Sequence, residues 1–181
     1  MRCKYRMETD TYYKLKNILN KSGESQFGKI IQCLCALAFY KELKCSPEEI
    51  DLKLSEGIDI IINKEEQKYA IEVKTTSKKE VSLQDKDFEA YKKYQQYTPL
   101  FCILKMNLLS KILLITQKRL ERKKTWSIEE LYTDDELKDL AERINKKFEE
   151  LVKKNFEGIK KEGLRYLLEE LKKEGIRYSG E

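Results

Sequence analysis

Histidine is absent from this chain of 181 residues. Its absence excludes Ser-His-Asp and Cys-His catalysis, the chemistry of HNH nucleases and the common zinc sites with histidine ligands. No Cys-x-x-Cys pair is present either, so the usual paired cysteine ligands of a zinc site are also missing. Any chemistry that this protein performs must therefore come from carboxylates, lysine, arginine, tyrosine, serine or threonine.

A disulfide framework and a membrane segment are missing as well. The cysteines are odd in number and irregularly spaced, and the chain has neither an N-terminal signal sequence nor an apolar run of membrane length. We therefore expect a reduced, cytoplasmic protein. We interpret all five cysteines as small core or surface residues: Cys3, Cys33, Cys35, Cys45 and Cys102.

Charged side chains are abundant but unevenly distributed. They make up 38% of the chain, well above the roughly 25% of an average globular domain. Residues 1–125 carry 25 basic and 17 acidic side chains, a net charge of +8, whereas residues 126–181 carry 12 and 15, a net charge of −3. The basic part fits a polyanionic partner, although a solvated basic face explains the charge equally well.

Hydrophobic periodicity predicts an α/β sandwich over the first two thirds of the chain. A short helix and a longer helix precede three strands, and a further helix and two strands follow. The third predicted helix begins with a capping-box-like arrangement at Ser82–Asp85 and ends before Pro99. The first two helices are predicted at 9–20 and 24–43, and the strands at 50–54, 57–62, 68–76, 100–106 and 111–116.

The remainder of the chain is predicted to be helical. Two capping boxes, Ser127–Glu130 and Thr133–Glu136, precede an apolar stripe, and Gly158 and Gly163 are expected to interrupt it. We divide the chain into a core, 1–125, and a helical extension, 126–181, that packs on the core or mediates dimerisation. Trp126 is expected to anchor one to the other. The stripe consists of Leu137, Leu140, Ile144, Phe148, Leu151, Phe156 and Ile159, and continues with Leu164, Leu167, Leu168 and Leu171.

Three charged residues stand out within the apolar strands. Asp59 lies among isoleucines, and Glu72 and Lys74 alternate with Ile71 and Val73. Because successive side chains of a strand point to opposite faces, Glu72 and Lys74 must share one face. A short polar turn makes the two strands antiparallel neighbours, so Asp59 is expected beside Glu72. A lone Glu-x-Lys would be uninformative in so charged a chain, but an aspartate in an Ile-rich strand requires an explanation.

A divalent metal ion provides that explanation. Two carboxylates at close range raise each other's pKa unless a cation lies between them. Mg²⁺ prefers oxygen ligands and retains several waters, so Asp59, Glu72 and a backbone carbonyl suffice to bind Mg²⁺ or Mn²⁺. Such an ion makes a bound water easier to deprotonate and offsets negative charge on a phosphodiester under attack. Lys74 is then placed to orient the water or to stabilise the transition state.

These residues resemble the core of the PD-(D/E)XK nuclease superfamily, with Ile58-Asp59 in place of Pro-Asp and Glu72-Val73-Lys74 as the E-x-K motif. The resemblance covers about residues 22–116. It implies a restriction endonuclease-like helix-strand-strand-strand-helix-strand fold with a mixed central sheet, metal binding by Asp59 and Glu72, and catalysis by Lys74. The segment 81–106 is also similar to archaeal Holliday junction resolvases and to some restriction endonucleases. A Mg²⁺- or Mn²⁺-dependent DNA endonuclease is therefore the expected function.

The first core helix of this superfamily often carries a further acidic residue that faces the metal. Glu24 is the acid nearest to the start of that helix and is our preferred candidate for this catalytic position, with capping of the helix N-terminus as its alternative role. Gln32 lies deeper in the helix and is the other candidate for the same position.

Further expectations concern partners. Lys78 and Lys79 follow the active strand and are expected to contact a DNA backbone, unless they form a solvated turn. A homodimer is expected because cutting both strands of a duplex generally needs two active sites. Two other functions stay open at this point. They are a non-catalytic nucleic-acid-binding module on the same fold and a helical interaction protein that acts through its C-terminal stripe.

Overall fold

A mixed sheet of six strands lies at the centre of the structure, a computed structural model that describes residues 5–55 and 57–180. The strand order is β6-β5-β3-β2-β1-β8. Strands β3 and β5 are parallel, as are β1 and β8, and the other neighbours are antiparallel. The strands are β1 (Ile50–Lys53), β2 (Ile60–Lys64), β3 (Gln67–Thr76), β5 (Thr98–Lys105), β6 (Lys111–Thr116) and β8 (Arg177–Ser179); β4 (Glu80–Ser82) and β7 (Thr125–Ser127) form a separate pair.

Four helices cover one face of the sheet. The buried side of α2 packs on strand residues such as Ile60, Ile71 and Val73, and α5 and α6 pack in turn on α2. The predicted α/β class is confirmed by this arrangement. The four helices are α1 (Thr9–Ser22), α2 (Glu24–Glu42), α5 (Lys138–Glu162) and α6 (Leu164–Glu174).

Shorter elements cover the other face. These are α3 (Asp85–Glu89), a 3-10 turn over Ala90–Tyr94, α4 (Gln117–Leu120) and the β4–β7 pair. The single helix predicted to begin at Ser82 is wrong, because Ser82 ends β4 and the helix starts three residues later. Gln84 and Asp87 form its capping box. Tyr91, in the 3-10 turn, is buried against Phe101 of the sheet.

Side chains close the outer edge of the sheet at β6. Asn145 of α5 accepts a hydrogen bond from the backbone N–H of Ile112 and donates one to its carbonyl oxygen. Thr133 and Asp134 accept the next two N–H groups, those of Leu114 and Thr116. The capping box predicted at Thr133–Glu136 is therefore wrong, because the Thr133 hydroxyl serves the strand instead. An edge that is paired in this way is protected against pairing with another chain.

The C-terminal segment completes the same core. The apolar stripe of α5 is buried, with Phe148 fully inaccessible, and β8 joins the central sheet beside β1. Gly163 ends α5 at a positive φ of 63°, as expected. Gly158 does not interrupt the helix; its missing side chain admits the Tyr166 ring, which a Cβ would approach to 2.2 Å. The stripe is thus covered within the chain and no longer argues for a second copy.

The described cysteines behave as small core residues. Cys33, Cys35, Cys45 and Cys102 are all buried and free. The Cys35 thiol lies on α2 within 3.9 Å of the Cys102 sulfur on β5, so the pair helps to pack helix on sheet. Cys3 lies outside the described residues. Among the described residues, none of the helices has the length and apolar character needed to cross a membrane.

Candidate active site

Asp59, Glu72 and Lys74 meet at one cavity of about 400 Å³. The β2–β3 register pairs Ile60 with Ile71, which brings the start of β2 beside the middle of β3. Asp59 immediately precedes β2 and is not inside the strand as predicted, since the strand begins at Ile60. The sequence prediction that these three side chains share one site is confirmed in its geometry.

Asp59 is held from two directions. Its Oδ2 accepts the backbone N–H of Val73 at 2.7 Å, and its Oδ1 accepts the side-chain amide of Gln32 at 3.1 Å. The side chain is almost inaccessible, with 3% of its surface exposed. Burial, followed by the nearby Glu72 carboxylate, raises the pKa of Asp59 well above its ordinary value, although the Val73 hydrogen bond opposes the shift.

Glu72 is buried on the face that α3 covers. Burial is the main cause that raises its pKa from 4.5 to about 7, and the neighbouring Lys74 ammonium acts in the opposite direction. Its Oε2 has no hydrogen-bond donor among the described residues, and neither has Oε1 of Gln32. Buried oxygens without donors are uncommon in folded proteins and call for an explanation.

Asp87 lines the same cavity, which the sequence did not predict. The Lys74 ammonium donates to Asp87 Oδ1 at 2.9 Å and lies 3.5 Å from Glu72 Oε1. Burial by itself would lower the pKa of Lys74, but the Asp87 hydrogen bond and the Glu72 charge together raise it. The only sequence signal for Asp87 was its place at the third position of a helix, which the misplaced capping box at Ser82 obscured.

Among the described residues that line the cavity, carboxylates outnumber ammonium groups. The carboxylates are those of Asp59, Glu72 and Asp87, and the ammonium groups are those of Lys74 and Lys86. Lys86, on α3, is exposed at the cavity and was also missed by the sequence analysis. When these carboxylates are ionised, a cavity lined in this way attracts a cation more readily than an anion.

Glu24 does not join this group. It is exposed at the first residue of α2, whereas Gln32 is the α2 side chain that contacts Asp59. Eight helical residues separate the two, about 12 Å along the axis. Glu24 lines an adjacent cavity of about 270 Å³ together with Lys74 and Lys78. The structure therefore places an amide, and no carboxylate, at the helix position beside Asp59.

Lys78 and Lys79 lie in the exposed turn between β3 and β4. The Lys78 N–H donates to the Thr76 hydroxyl, and the Lys79 carbonyl accepts from Ile128. The backbone of the turn is thus fixed while both ammonium groups face solvent. Lys78 also lines the cavity beside Lys74. Their predicted contact with DNA stays a prediction.

The residues fit a divalent cation of the kind that keeps much of its water. Within residues 5–55 and 57–180, no cluster of three or more Cys, Asp or Glu side chains is arranged to hold an ion by itself. Mg²⁺, however, commonly takes only one or two carboxylates and retains several waters. Glu72 Oε2, Gln32 Oε1 and the crowded Asp59 carboxylate supply oxygen atoms of the kind that it prefers. The prediction of Mg²⁺ or Mn²⁺ is consistent with that donor set.

No protein-family model, curated protein or solved structure matches this chain. The functional argument therefore depends on the geometry of the site.

Proposed function

We propose that this protein is a divalent-metal-dependent nuclease that hydrolyses phosphodiester bonds in DNA. The observation that carries the proposal is the meeting of Asp59, Glu72 and Lys74 in one cavity, where a buried Glu72 oxygen has no donor. Burial of two carboxylates opposes their ionisation, and groups with pKa values raised in this way cluster at functional sites. The order of α2, β1, β2, β3, α3 and β5 supports a core of the restriction endonuclease-like type.

Each residue has a distinct role in the proposal. Asp59 and Glu72 would hold Mg²⁺ or Mn²⁺, which would offset negative charge on a phosphodiester and make water easier to deprotonate. Lys74 has three N–H donors, of which Asp87 takes one. The others are available to orient the attacking water or to donate to a phosphate oxygen as charge develops there. Gln32 and the Val73 N–H fix the orientation of Asp59.

DNA is the proposed substrate because the basic charge lies in the part of the chain that holds the site. Residues 1–125 carry the net charge of +8, and Lys78, Lys79 and Lys86 are exposed near the cavity. A duplex substrate favours two active sites, so a homodimer belongs to the proposal. The edge of β6 and the apolar stripe of α5 are already covered within the chain, so the dimer contact would use other surfaces.

A cleavage panel tests the proposal. Plasmid, single-stranded and branched DNA would each be incubated with the protein in Mg²⁺, in Mn²⁺ and in excess EDTA. Cleavage with either ion that disappears in EDTA is the expected result, and the substrate that is cut fastest identifies the DNA structure recognised. Binding without cleavage under every condition would contradict the proposal.

One observation favours the alternative of a non-catalytic nucleic-acid-binding module. Gln32 occupies the helix position beside Asp59, where an acid would provide a stronger metal ligand. The weaker donor set would then reflect a fold that retains DNA binding without catalysis. The same panel separates the two functions, because the alternative requires salt-sensitive DNA binding and no cleavage by the wild-type protein.

A further inference from the structure

We propose that Asp87 is a positioning residue that holds Lys74 off Glu72 and thereby keeps a Glu72 oxygen free for a divalent cation. This inference rests on the proposed function, because it concerns the same site. It assigns a role to a residue that neither the sequence pattern nor the proposed metal ligands require.

The geometry at Lys74 distinguishes its two carboxylate neighbours. Its Nζ is 2.9 Å from Asp87 Oδ1, a normal hydrogen bond, but 3.5 Å from Glu72 Oε1, an ion contact at longer range. The second Glu72 oxygen, Oε2, has no donor among the described residues. Asp87 therefore holds the ammonium more closely than Glu72 does, and Glu72 keeps one oxygen, Oε2, for a cation.

Asp87 itself is rigidly held. Its side chain is only 6% exposed, and its Oδ2 accepts the backbone N–H of Gln84 at 2.8 Å, which fixes the carboxylate at the start of α3. One oxygen thus caps the helix while the other receives Lys74. Because α3 determines where the Asp87 carboxylate lies, it also determines where the Lys74 ammonium lies.

Loss of Asp87 would change the anionic partner of the Lys74 ammonium. Glu72 would become its nearest carboxylate, and a half-buried ammonium needs an anionic partner. The ammonium would then move onto Glu72 and compete there with the cation. It would also leave the position from which it is proposed to act on the phosphodiester.

Asp87→Asn is the informative substitution, with Asp85→Asn as its matched control. Asn keeps an oxygen that accepts the Gln84 N–H but has no charge to hold Lys74. Asp85 lies two residues away with its side chain 80% exposed. Its substitution therefore removes one negative charge, as Asp87→Asn does, but at a solvent-exposed position. Manganese affinity would be measured without DNA, by calorimetric titration with Mn²⁺. We expect a loss of about 10- to 100-fold for Asp87→Asn, as is typical of residues that support metal ligands, and less than about 2-fold for Asp85→Asn.

The same titration in a Lys74→Ala background isolates the mechanism. Without the Lys74 ammonium the proposed competitor for Glu72 is gone, so Asp87→Asn should then weaken Mn²⁺ binding by less than about 3-fold. An equal loss in both backgrounds would overturn the inference, because Asp87 would then act independently of Lys74. Should Asp87→Asn fail to fold by circular dichroism, Asp87→Ser, which also keeps an acceptor for Gln84, replaces it.

The outcome separates this inference from the proposed function. Wild-type protein that binds Mn²⁺ with the expected dependence on Asp87, yet never cuts DNA, would reject the nuclease and leave the role of Asp87 intact. Wild-type protein that cuts DNA while Asp87→Asn keeps normal Mn²⁺ affinity would reject the role of Asp87 alone. Wild-type protein that binds no Mn²⁺ would reject both.

Discussion

The side-chain amide of Gln32 donates a hydrogen bond of 3.1 Å to Asp59, which ties the middle of α2 to the start of β2. This contact places a neutral group where a further carboxylate would otherwise crowd Asp59 and Glu72. The metal-free site tolerates its buried acids partly for that reason.

Replacement of Gln32 by Glu should therefore make the thermal stability of the protein depend on a bound metal ion. Without a cation, an additional acid beside Asp59 should lower the melting temperature, because like charges at close range oppose ionisation. With Mn²⁺, the added ligand should bind the ion more tightly and reverse that loss. Thermal unfolding of Gln32→Glu in EDTA and in Mn²⁺ checks this. Gln26→Glu, on the exposed side of the same helix, should show neither effect.

Substitutions of Asp59 and Lys74 should separate catalysis from binding. Asp59→Asn keeps the shape of the side chain but removes a charge that holds the metal, so cleavage should fall by orders of magnitude. Lys74→Ala should reduce turnover strongly while DNA binding changes little, because its proposed contact strengthens in the transition state. Parallel gel-shift and cleavage assays measure both. Loss of DNA binding in step with cleavage would show that these residues serve binding alone.

The stability of the metal-free protein should depend on the ionisation of Glu72. Its pKa of about 7, against an ordinary 4.5, means that the folded state holds the proton more tightly than the unfolded chain. The stabilisation is complete below pH 4.5 and is lost as the pH rises through 7. Glu72→Gln should thus be neutral near pH 4 and more stable than wild type at pH 8, by up to about 3 kcal/mol.

Urea unfolding in EDTA across that pH range measures the effect. The control is Glu66→Gln, in the exposed turn before β3, whose difference from wild type should stay nearly constant with pH. If the difference in unfolding free energy between Glu72→Gln and wild type is also independent of pH, burial does not oppose ionisation of the Glu72 carboxyl.

Charge reversal at Lys78 and Lys79 should weaken DNA binding irrespective of sequence. Both side chains are exposed in the turn beside the site, where backbone phosphates would release counterions on binding. The double Glu variant should lose affinity equally for unrelated sequences and show a shallower salt dependence. Reversal of Lys172 and Lys173, exposed on α6, alters the net charge equally and should have a much smaller effect. Similar losses for both pairs would indicate a general charge effect.

The oligomeric state is a separate prediction. Light scattering at high protein concentration should give the mass of a dimer, twice the 21.6 kDa of one chain. A monomer throughout the accessible concentration range would contradict it. Truncation after Thr125 should give insoluble protein in either case, because it removes α5 and α6 and exposes the apolar residues of α2 that they cover.

Local geometry explains why much of the site was predictable. The alternation along β3 requires Glu72 and Lys74 to share a face, and a turn as short as that between β2 and β3 makes the strands antiparallel neighbours. The ends of α1 and α2 were within two residues of their predicted positions, because the Lys-Ser-Gly run at 21–23 separates the two helices and Pro47 follows the second. Such features depend on residues that are near each other in the chain.

The tertiary structure decided the features that depend on how elements meet. Whether Glu24 or Gln32 lies beside Asp59 depends on the position of α2 along its own axis relative to the sheet. The hydrophobic periodicity of the helix predicts which face is buried but not this axial position. Asp87 reaches Lys74 because α3 begins at Asp85 and brings the Asp87 carboxylate to the Lys74 ammonium. The strand β8 has three residues without a hydrophobic pattern, and it exists because the edge of β1 is available to pair with it. The sequence by itself determined the chemistry of the individual strands and helices, whereas packing between distant segments determined which side chains complete the site.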